Sequence, residues 1–176
     1  DALSPAVVAG AAGSWFWTED GTRYLDFSSQ LVNVNIGHQH PKLVAAIKAQ
    51  ADELCTVAPS FANAARSEAA RLICEVAAIG IEGSTLDMVF FTNGGAEANE
   101  NAIKIARMVT GRHKILVRYR AYHGATAGAI TLTGDPRRWA AEPGIPGVVR
   151  IPDFYPYRAG KQLDDPEYAA SVLSAT

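Results

Sequence analysis

FFTNGGAEANENAIKIAR, Phe90 to Arg107, sets an apolar run against a strongly helical one, with two glycines and an alanine between them. Met88, Val89, Phe90 and Phe91 form a short apolar run of the kind a buried strand carries, and Thr92-Asn93-Gly94-Gly95 is turn chemistry. The residues that follow predict a helix. Its apolar positions Ala98, Ala102, Ile105, Ala106 and Val109 recur at helical spacing, with Glu97, Glu100, Asn101, Lys104 and Arg107 on the other side. Glu100 stands four residues before Lys104, the favourable order for a helical ion pair, and Thr110-Gly111 supplies a stop. The expected unit is strand, glycine turn, helix.

Such a turn exposes the first amides of the helix, which have no partner inside it, at the positive end of the helix dipole. That combination accommodates an anion, and a side chain at Gly94 or Gly95 would keep a bulky oxyanion from closing on the backbone nitrogens. Gly-Gly also occurs in such turns for conformational reasons alone. Two phosphate loops are excluded by spacing: the segment contains neither GxxxxGK[ST] nor GxGxxG.

The rest of the chain bounds the class of protein. Its 176 residues are 48% hydrophobic and 19% charged, with a net charge of −2, an ordinary globular composition of about one domain. No basic run or aromatic-basic interleaving is present, which argues against a nucleic-acid partner. Gly, Pro or charge interrupts every weakly polar stretch before the roughly 18 residues that a membrane span needs, and the segment from Asp1 has no signal-peptide pattern. Cys55 and Cys74 lack metal-ligand spacing and read as reduced thiols of a cytoplasmic protein. The chain opens without Met and closes on EYAASVLSAT, a helix-like pattern, so both ends read as cuts.

Upstream, GSWFWTEDGTRYLDF predicts a hairpin around Glu19-Asp20-Gly21-Thr22, followed by an extended segment, SSQLVNVNIGHQHP. Pro41 opens a helix with Leu43, Ala46, Ile47 and Leu54 on one face, and a second helix is expected over about residues 64–78. Downstream, HKILVRY and GVVRIP read as strands, and YHGATAGAITLTGD as a turn followed by a small-residue segment. Asp135 to Pro166 carries six of the nine prolines and reads as a long irregular excursion. Strands alternating with helices predict an α/β domain with a mainly parallel sheet.

Three stretches occur together in order: YLDFSSQLVNVNIGHQHPKLVAAIKAQ, FFTNGGAEANENAIKIARMVTGRHKI and YHGATAGAITLTGD. In that order and approximate spacing the chain resembles the class III aminotransferases, fold-type I enzymes dependent on pyridoxal 5′-phosphate (PLP). The resemblance is specific from about Gly13 to Asp135 and weak after Pro143. It implies residues 1–60 as an N-terminal segment contributing to the small domain and the interface, and 61–176 as the first part of the large PLP-binding domain.

The resemblance further implies that Gly94, Gly95 and Ala96 hold the PLP phosphate through backbone amides, although the family more often carries hydroxyl residues at Gly94 and Ala96. Tyr122 would stack on the pyridine ring with His123 beside it, and Gly124 would let the chain turn away. Leu31 and Val32 match positions lining the substrate pocket, with Phe61 near them; Val32 stands where relatives often have a large aromatic residue. His38 and His40, two apart in an extended segment, would point to opposite faces, so no metal site is expected. Glu97 and Glu100 read as solvated residues of the helix.

The family also requires a lysine for the Schiff base and an acid beside the pyridine nitrogen. None of Lys42, Lys48, Lys104, Lys114 and Lys161 sits in a matching context, so the catalytic lysine is expected beyond Thr176 and the chain alone is expected to be inactive. The complete protein would be a homodimeric transaminase taking an amine or ω-amino acid and a 2-oxo acid such as pyruvate or 2-oxoglutarate. A decarboxylase or aminomutase on the same scaffold, or a non-catalytic assembly fragment, remain open at this point.

Overall fold

A computed structural model describes residues 6–162 and 164–174. The chain divides into two compact units, Asp1–Ile79 and Gly80–Thr176.

The first unit opens with three antiparallel strands in the order β1 (Val8–Ala12), β2 (Trp15–Thr18), β3 (Arg23–Leu25). The Asp-Gly hairpin falls where its composition places it. Asp20 Oδ1 accepts from the Thr18 hydroxyl at 2.6 Å and from the Thr22 amide at 3.0 Å, and Gly21 takes φ +83°. Across the ladder Phe16 stacks on Tyr24 with centroids 5.1 Å apart, and Arg23 lies over Trp15. β1 was not expected, because VAGAA has no alternation to read. It forms because small residues admit a large neighbour: a Cβ on Gly10 would fall 2.6 Å from the Trp17 ring.

The segment expected to be extended after β3 is partly a turn instead. Ser29, Gln30, Leu31 and Val32 take φ values of 50°, 48°, 62° and 65°, making a single left-handed helical turn, α1 (Ser29–Val32). The chain then returns to the sheet, where Gly13 and His38 exchange backbone hydrogen bonds of 3.0 and 2.8 Å. α2 (Pro41–Glu53) and α3 (Ala64–Ala77) follow at the expected places, α3 capped by the Asn63 side chain, which accepts from the Arg66 amide at 3.0 Å. Neither helix buries a residue among those described.

The second unit begins with the apolar run expected to be a strand. Met88 to Phe91 forms none, because among the described residues no neighbouring segment supplies ladder partners; Met88 and Phe90 are exposed. The glycine turn and helix stand as expected: α4 (Gly95–Thr110) ends on Gly111, which is left-handed at φ 65° and donates its amide to the Arg107 carbonyl. β4 (Ile115–Arg118) and β5 (Val148–Ile151) pair in parallel, Ile115 opposite Val148. The small-residue segment between them, for which the sequence indicates no element, is a helix, α5 (Ala127–Leu132), buried along Gly128 to Leu132. Ile103, Val117 and Leu132 form the core, with Ile115, Ile145 and Val148 against it. The proline-rich excursion contains two 3₁₀ turns, Pro136–Ala141 and Pro156–Ala159, before α6 (Pro166–Ser174).

The inward face of α4 differs from the expected one. Ala98, Ala102, Ile105, Ala106 and Val109 are exposed, whereas Ala96, Asn99, Glu100, Ile103 and Arg107 turn inward. The polar members of this face satisfy backbone groups of the neighbouring loops. Arg107, for example, donates to the carbonyls of His113 and Pro146 at 3.1 and 2.8 Å. A polar side chain is stable in a partly buried position when it completes hydrogen bonds that the loops cannot complete for themselves.

Candidate functional site

The glycine turn presents backbone donors to open space. Gly94 precedes α4 in an extended conformation, φ −178° and ψ 170°, that any residue can adopt. The amides of Gly95, Ala96 and Glu97 have no acceptor among the described residues, as the first turn of a helix dictates. A Cβ built on Gly94 or Gly95 meets nothing within 4 Å. The two glycines therefore answer neither a backbone strain nor a crowded neighbour, and without a side chain at Gly95 the approach to the amides is clear. An oxyanion of phosphate size fits that arrangement. The loop before it is braced from the helix, since Glu97 accepts from the Asn93 amide and side chain at 2.9 and 3.0 Å. Glu97 is exposed, as expected, and in addition braces the turn.

The Tyr122-His123-Gly124 segment lies directly against this helix. Gly124 has φ +131°, and a Cβ there would fall 2.6 Å from the Ala96 Cβ. Asn99 donates to the His123 carbonyl at 2.6 Å, and the His123 amide donates to the hydroxyl of the fully buried Thr133 at 3.1 Å. Glu100, expected in solvent beside Lys104, instead turns toward α5. One of its oxygens accepts from the amides of Gly128 and Ala129 at 2.6 and 3.2 Å. The Thr126 hydroxyl and these amides hold its carboxyl below the usual range against the opposing effect of burial. No Glu100–Lys104 ion pair forms among the described residues.

Tyr122 is half exposed, and the Arg137 guanidinium sits 3.8 Å from its ring centroid. Asp135 chelates Arg137, through contacts of 3.0 Å to its Nε among others, and this pairing lowers the Asp135 pKa. Arg137 was not anticipated. It stands fifteen residues beyond Tyr122 in a proline-interrupted stretch, and the only local signal was Asp135-Pro136, the start of a 3₁₀ turn whose Asp135 side chain caps the Arg137 amide.

The three pocket candidates belong to the first unit. Leu31 and Val32 sit on the left-handed turn, 89% and 74% exposed, and Val32 borders a groove of about 600 Å³ that runs along Asn33 to Ile47. Phe61, also exposed, lies in the turn before α3, where its amide donates to the Ala58 carbonyl and its own carbonyl accepts from Arg66. A single carboxylate organises the left-handed turn. Asp26 accepts from the Ser28 hydroxyl at 3.2 Å, from the Gln30 amide and side chain at 3.3 and 3.1 Å, and pairs with His38 Nε2 at 2.7 Å. Burial opposes its ionisation, and the bonds from His38, Gln30 and Ser28 overcome that effect, lowering its pKa to about 2. His38 is thereby committed to Asp26. Among the described residues no helix is long and apolar enough to cross a membrane, and both cysteines are free thiols.

The description "Aminotransferase class-III" belongs to the family model that matches residues 2–175. An acetylornithine aminotransferase from Halalkalibacterium halodurans is 36% identical over 94% of this chain and 41% of its own length. Among solved structures, a taurine:2-oxoglutarate aminotransferase from Bifidobacterium kashiwanohense, in complex with PLP and glutamate, superposes with a TM-score of 0.87 at 45% identity, over 97% of this chain and 38% of that one. A thermostable (S)-enantioselective omega-transaminase from Thermomicrobium roseum gives 0.85 at 37% identity, over 98% and 40%. The chain thus spans about two fifths of the length of these relatives and shares the corresponding part of their α/β fold. By the match along nearly all of its length, and by relatives of this identity, the chain belongs to the class III aminotransferase family.

Proposed function

We propose that the full-length protein is a PLP-dependent transaminase, and that this chain supplies the phosphate cup, the ring-stacking tyrosine and part of the substrate pocket. One observation carries the reading: the unpartnered amides of Gly95, Ala96 and Glu97 open onto clear space immediately beside the Tyr122–Gly124 loop. A phosphate and a flat ring are the two ends of one cofactor, and a donor array and an aromatic face on adjoining segments match them.

PLP, when bound, supplies an electron-accepting ring that stabilises the carbanion through which an amino group is transferred. The residues of this chain bind and orient. Gly94, Gly95 and Ala96 would hold the phosphate by backbone donors, aided by the dipole of α4. Because Gly94 and Ala96 bring no hydroxyl, that grip rests on the backbone. Tyr122, whose ring carries the Arg137 guanidinium, would offer an aromatic face to the pyridine, with His123 beside it. Leu31, Val32 and Phe61 shape the donor pocket. We assign residues 1–60 to the small-domain and interface part and 61–176 to the large domain; the break between Ile79 and Gly80 describes compactness within this chain alone. The Schiff-base lysine lies outside the 176 residues.

A 2-oxo acid is the proposed acceptor, with 2-oxoglutarate placed first because the 45% identical relative is a taurine:2-oxoglutarate aminotransferase. An amine or ω-amino acid is the proposed donor, a homodimer the proposed assembly and the cytoplasm the proposed location. The test is direct: incubate the full-length protein with PLP, a panel of amines and ω-amino acids, and 2-oxoglutarate or pyruvate, and measure the new amino acid. Formation of glutamate or alanine in step with donor loss is the expected result. Carbon dioxide release without amino transfer would overturn it.

A further inference from the structure

We propose that Asn99 and Glu100 are positioning residues: together they fasten the Tyr122–Gly124 loop and α5 to one face of α4, so that a single helix sets the distance between phosphate cup and ring seat. The inference rests on the PLP reading above and extends it to two residues outside the proposed phosphate cup and ring seat, whose bonds run to His123, Gly128 and Ala129.

Ala96, Asn99, Glu100 and Ile103 fall on one helical face by their spacing of three and four. Each meets a different piece of the same neighbour. Ala96 abuts Gly124, with no room for a Cβ between them. Asn99 holds the His123 carbonyl at 2.6 Å, and only the amide nitrogen of its side chain can donate there. Glu100 collects the first amides of α5, and a Cβ on Gly128 would fall 2.2 Å from its other oxygen. Ile103 joins the core with Leu132, at the far end of α5.

The opposite side of the loop is tied as well. His123 donates its amide to Thr133, whose hydroxyl donates in turn to the Ala129 carbonyl at 3.2 Å, and the Gly134 amide donates to the Ala121 carbonyl at 2.8 Å. The backbone around Tyr122 is therefore held between the helix that bears the cup and the exit of α5. Asn99 is the side chain that joins the two sides, and Glu100 fixes the entry of α5, from whose exit Thr133 reaches back. Removing either leaves the first-turn amides of α4 where they are but frees the ring-bearing segment to move relative to them. Inorganic phosphate would report on the cup alone, whereas PLP reports on cup and ring seat together.

The experiment measures both affinities, and the induced circular dichroism of bound PLP, in full-length apoprotein carrying Asn99→Ala, Glu100→Ala or Glu100→Gln. Asn99→Ala and Glu100→Ala should weaken PLP about tenfold, the size of one lost hydrogen bond at a desolvated site, and reduce the dichroic band, with inorganic phosphate binding within about twofold of the parent. Glu100→Gln keeps an oxygen that can accept from both α5 amides and should restore most of the PLP affinity. Asn99→Asp, equal in shape but without the donor, gives the same reading if Asn99→Ala does not fold. Parental PLP affinity and dichroism in every variant would overturn the inference, as would PLP and phosphate falling by the same factor, which marks general loosening of α4. Either result leaves the transaminase reading in place. A parent that binds phosphate but no PLP would instead remove that reading and the positioning role together.

Discussion

The two regions proposed to meet substrate and cofactor are built on opposite principles. Around α4 the chain uses regular structure: a helix start supplies donors, its face carries the neighbouring loop, and small residues let the pieces touch. Around Leu31 and Val32 it uses irregular structure, four consecutive left-handed residues gathered by one carboxylate. Left-handed backbone costs about 1–2 kcal/mol per residue for anything but glycine, and Val32 is β-branched, so this turn depends on Asp26 as α4 depends on no single side chain. The proposed cofactor seat thus rests on regular structure, whereas the turn bearing Leu31 and Val32 is poised on one ionised group.

The largest effect is expected where one group holds most. Asp26→Asn should dissolve the left-handed turn outright, because an amide cannot accept from Ser28, Gln30 and His38 together; amide hydrogen exchange at Val32 and Asn33, now bonded to Ser28 and Ser29, reads this. Acid should do the same. With its folded pKa lowered to about 2 from an unfolded value of about 3.9, Asp26 contributes its full stabilisation above roughly pH 4 and loses it as pH falls toward 2. Unchanged protection at Val32 below pH 2 would show that the turn stands without the carboxylate.

Next in size, Gly124→Ala should destabilise the full-length protein by on the order of 2 kcal/mol, since the new methyl meets Ala96 and the backbone is at φ +131°. Chemical denaturation measures it, and a neutral result would deny the close packing of the loop on α4. Gly95→Val should leave folding intact, because its Cβ has open space, yet weaken PLP about tenfold by shielding the amides. Equal affinity in a spectroscopic titration would detach the cup from the cofactor.

Smaller still is the ring contact. Tyr122→Ala should weaken PLP by about 1 kcal/mol and Tyr122→Phe by much less, as stacking needs the ring and not the hydroxyl. If both variants bind as the parent does, Tyr122 has another role. The smallest change is a gain: Gly94→Ser is compatible with the extended backbone and the open Cβ space, and should tighten PLP by roughly 0.5–1 kcal/mol through one added hydrogen bond.

The same contrast explains what the sequence made legible. The hairpin at Asp20-Gly21, the helices from Pro41, Asn63 and Gly95, and the paired strands at Ile115 and Val148 all announce themselves through caps, turns and periodicity. The glycine turn was readable because the absence of side chains is itself a signal. Four things were not. The inward face of α4 was misread because polar side chains that complete loop hydrogen bonds look like solvated ones in a hydrophobicity pattern. Asp26, at the end of the hairpin segment, gathers donors from Ser28 to His38, a cluster with no fixed spacing inside a stretch that reads as extended. Arg137 reaches Tyr122 only through a turn whose course no local rule specifies. Met88 to Phe91 carries a strand pattern without a strand, since pairing needs a partner and no pattern supplies one.

A crystal structure of the full-length protein with PLP tests the central claim most directly. The expected result is phosphate oxygens within hydrogen-bond distance of the Gly95 and Ala96 amides and the pyridine ring lying against the face of Tyr122 away from Arg137. PLP bound with its phosphate remote from the start of α4, or with its ring out of contact with Tyr122, would contradict it.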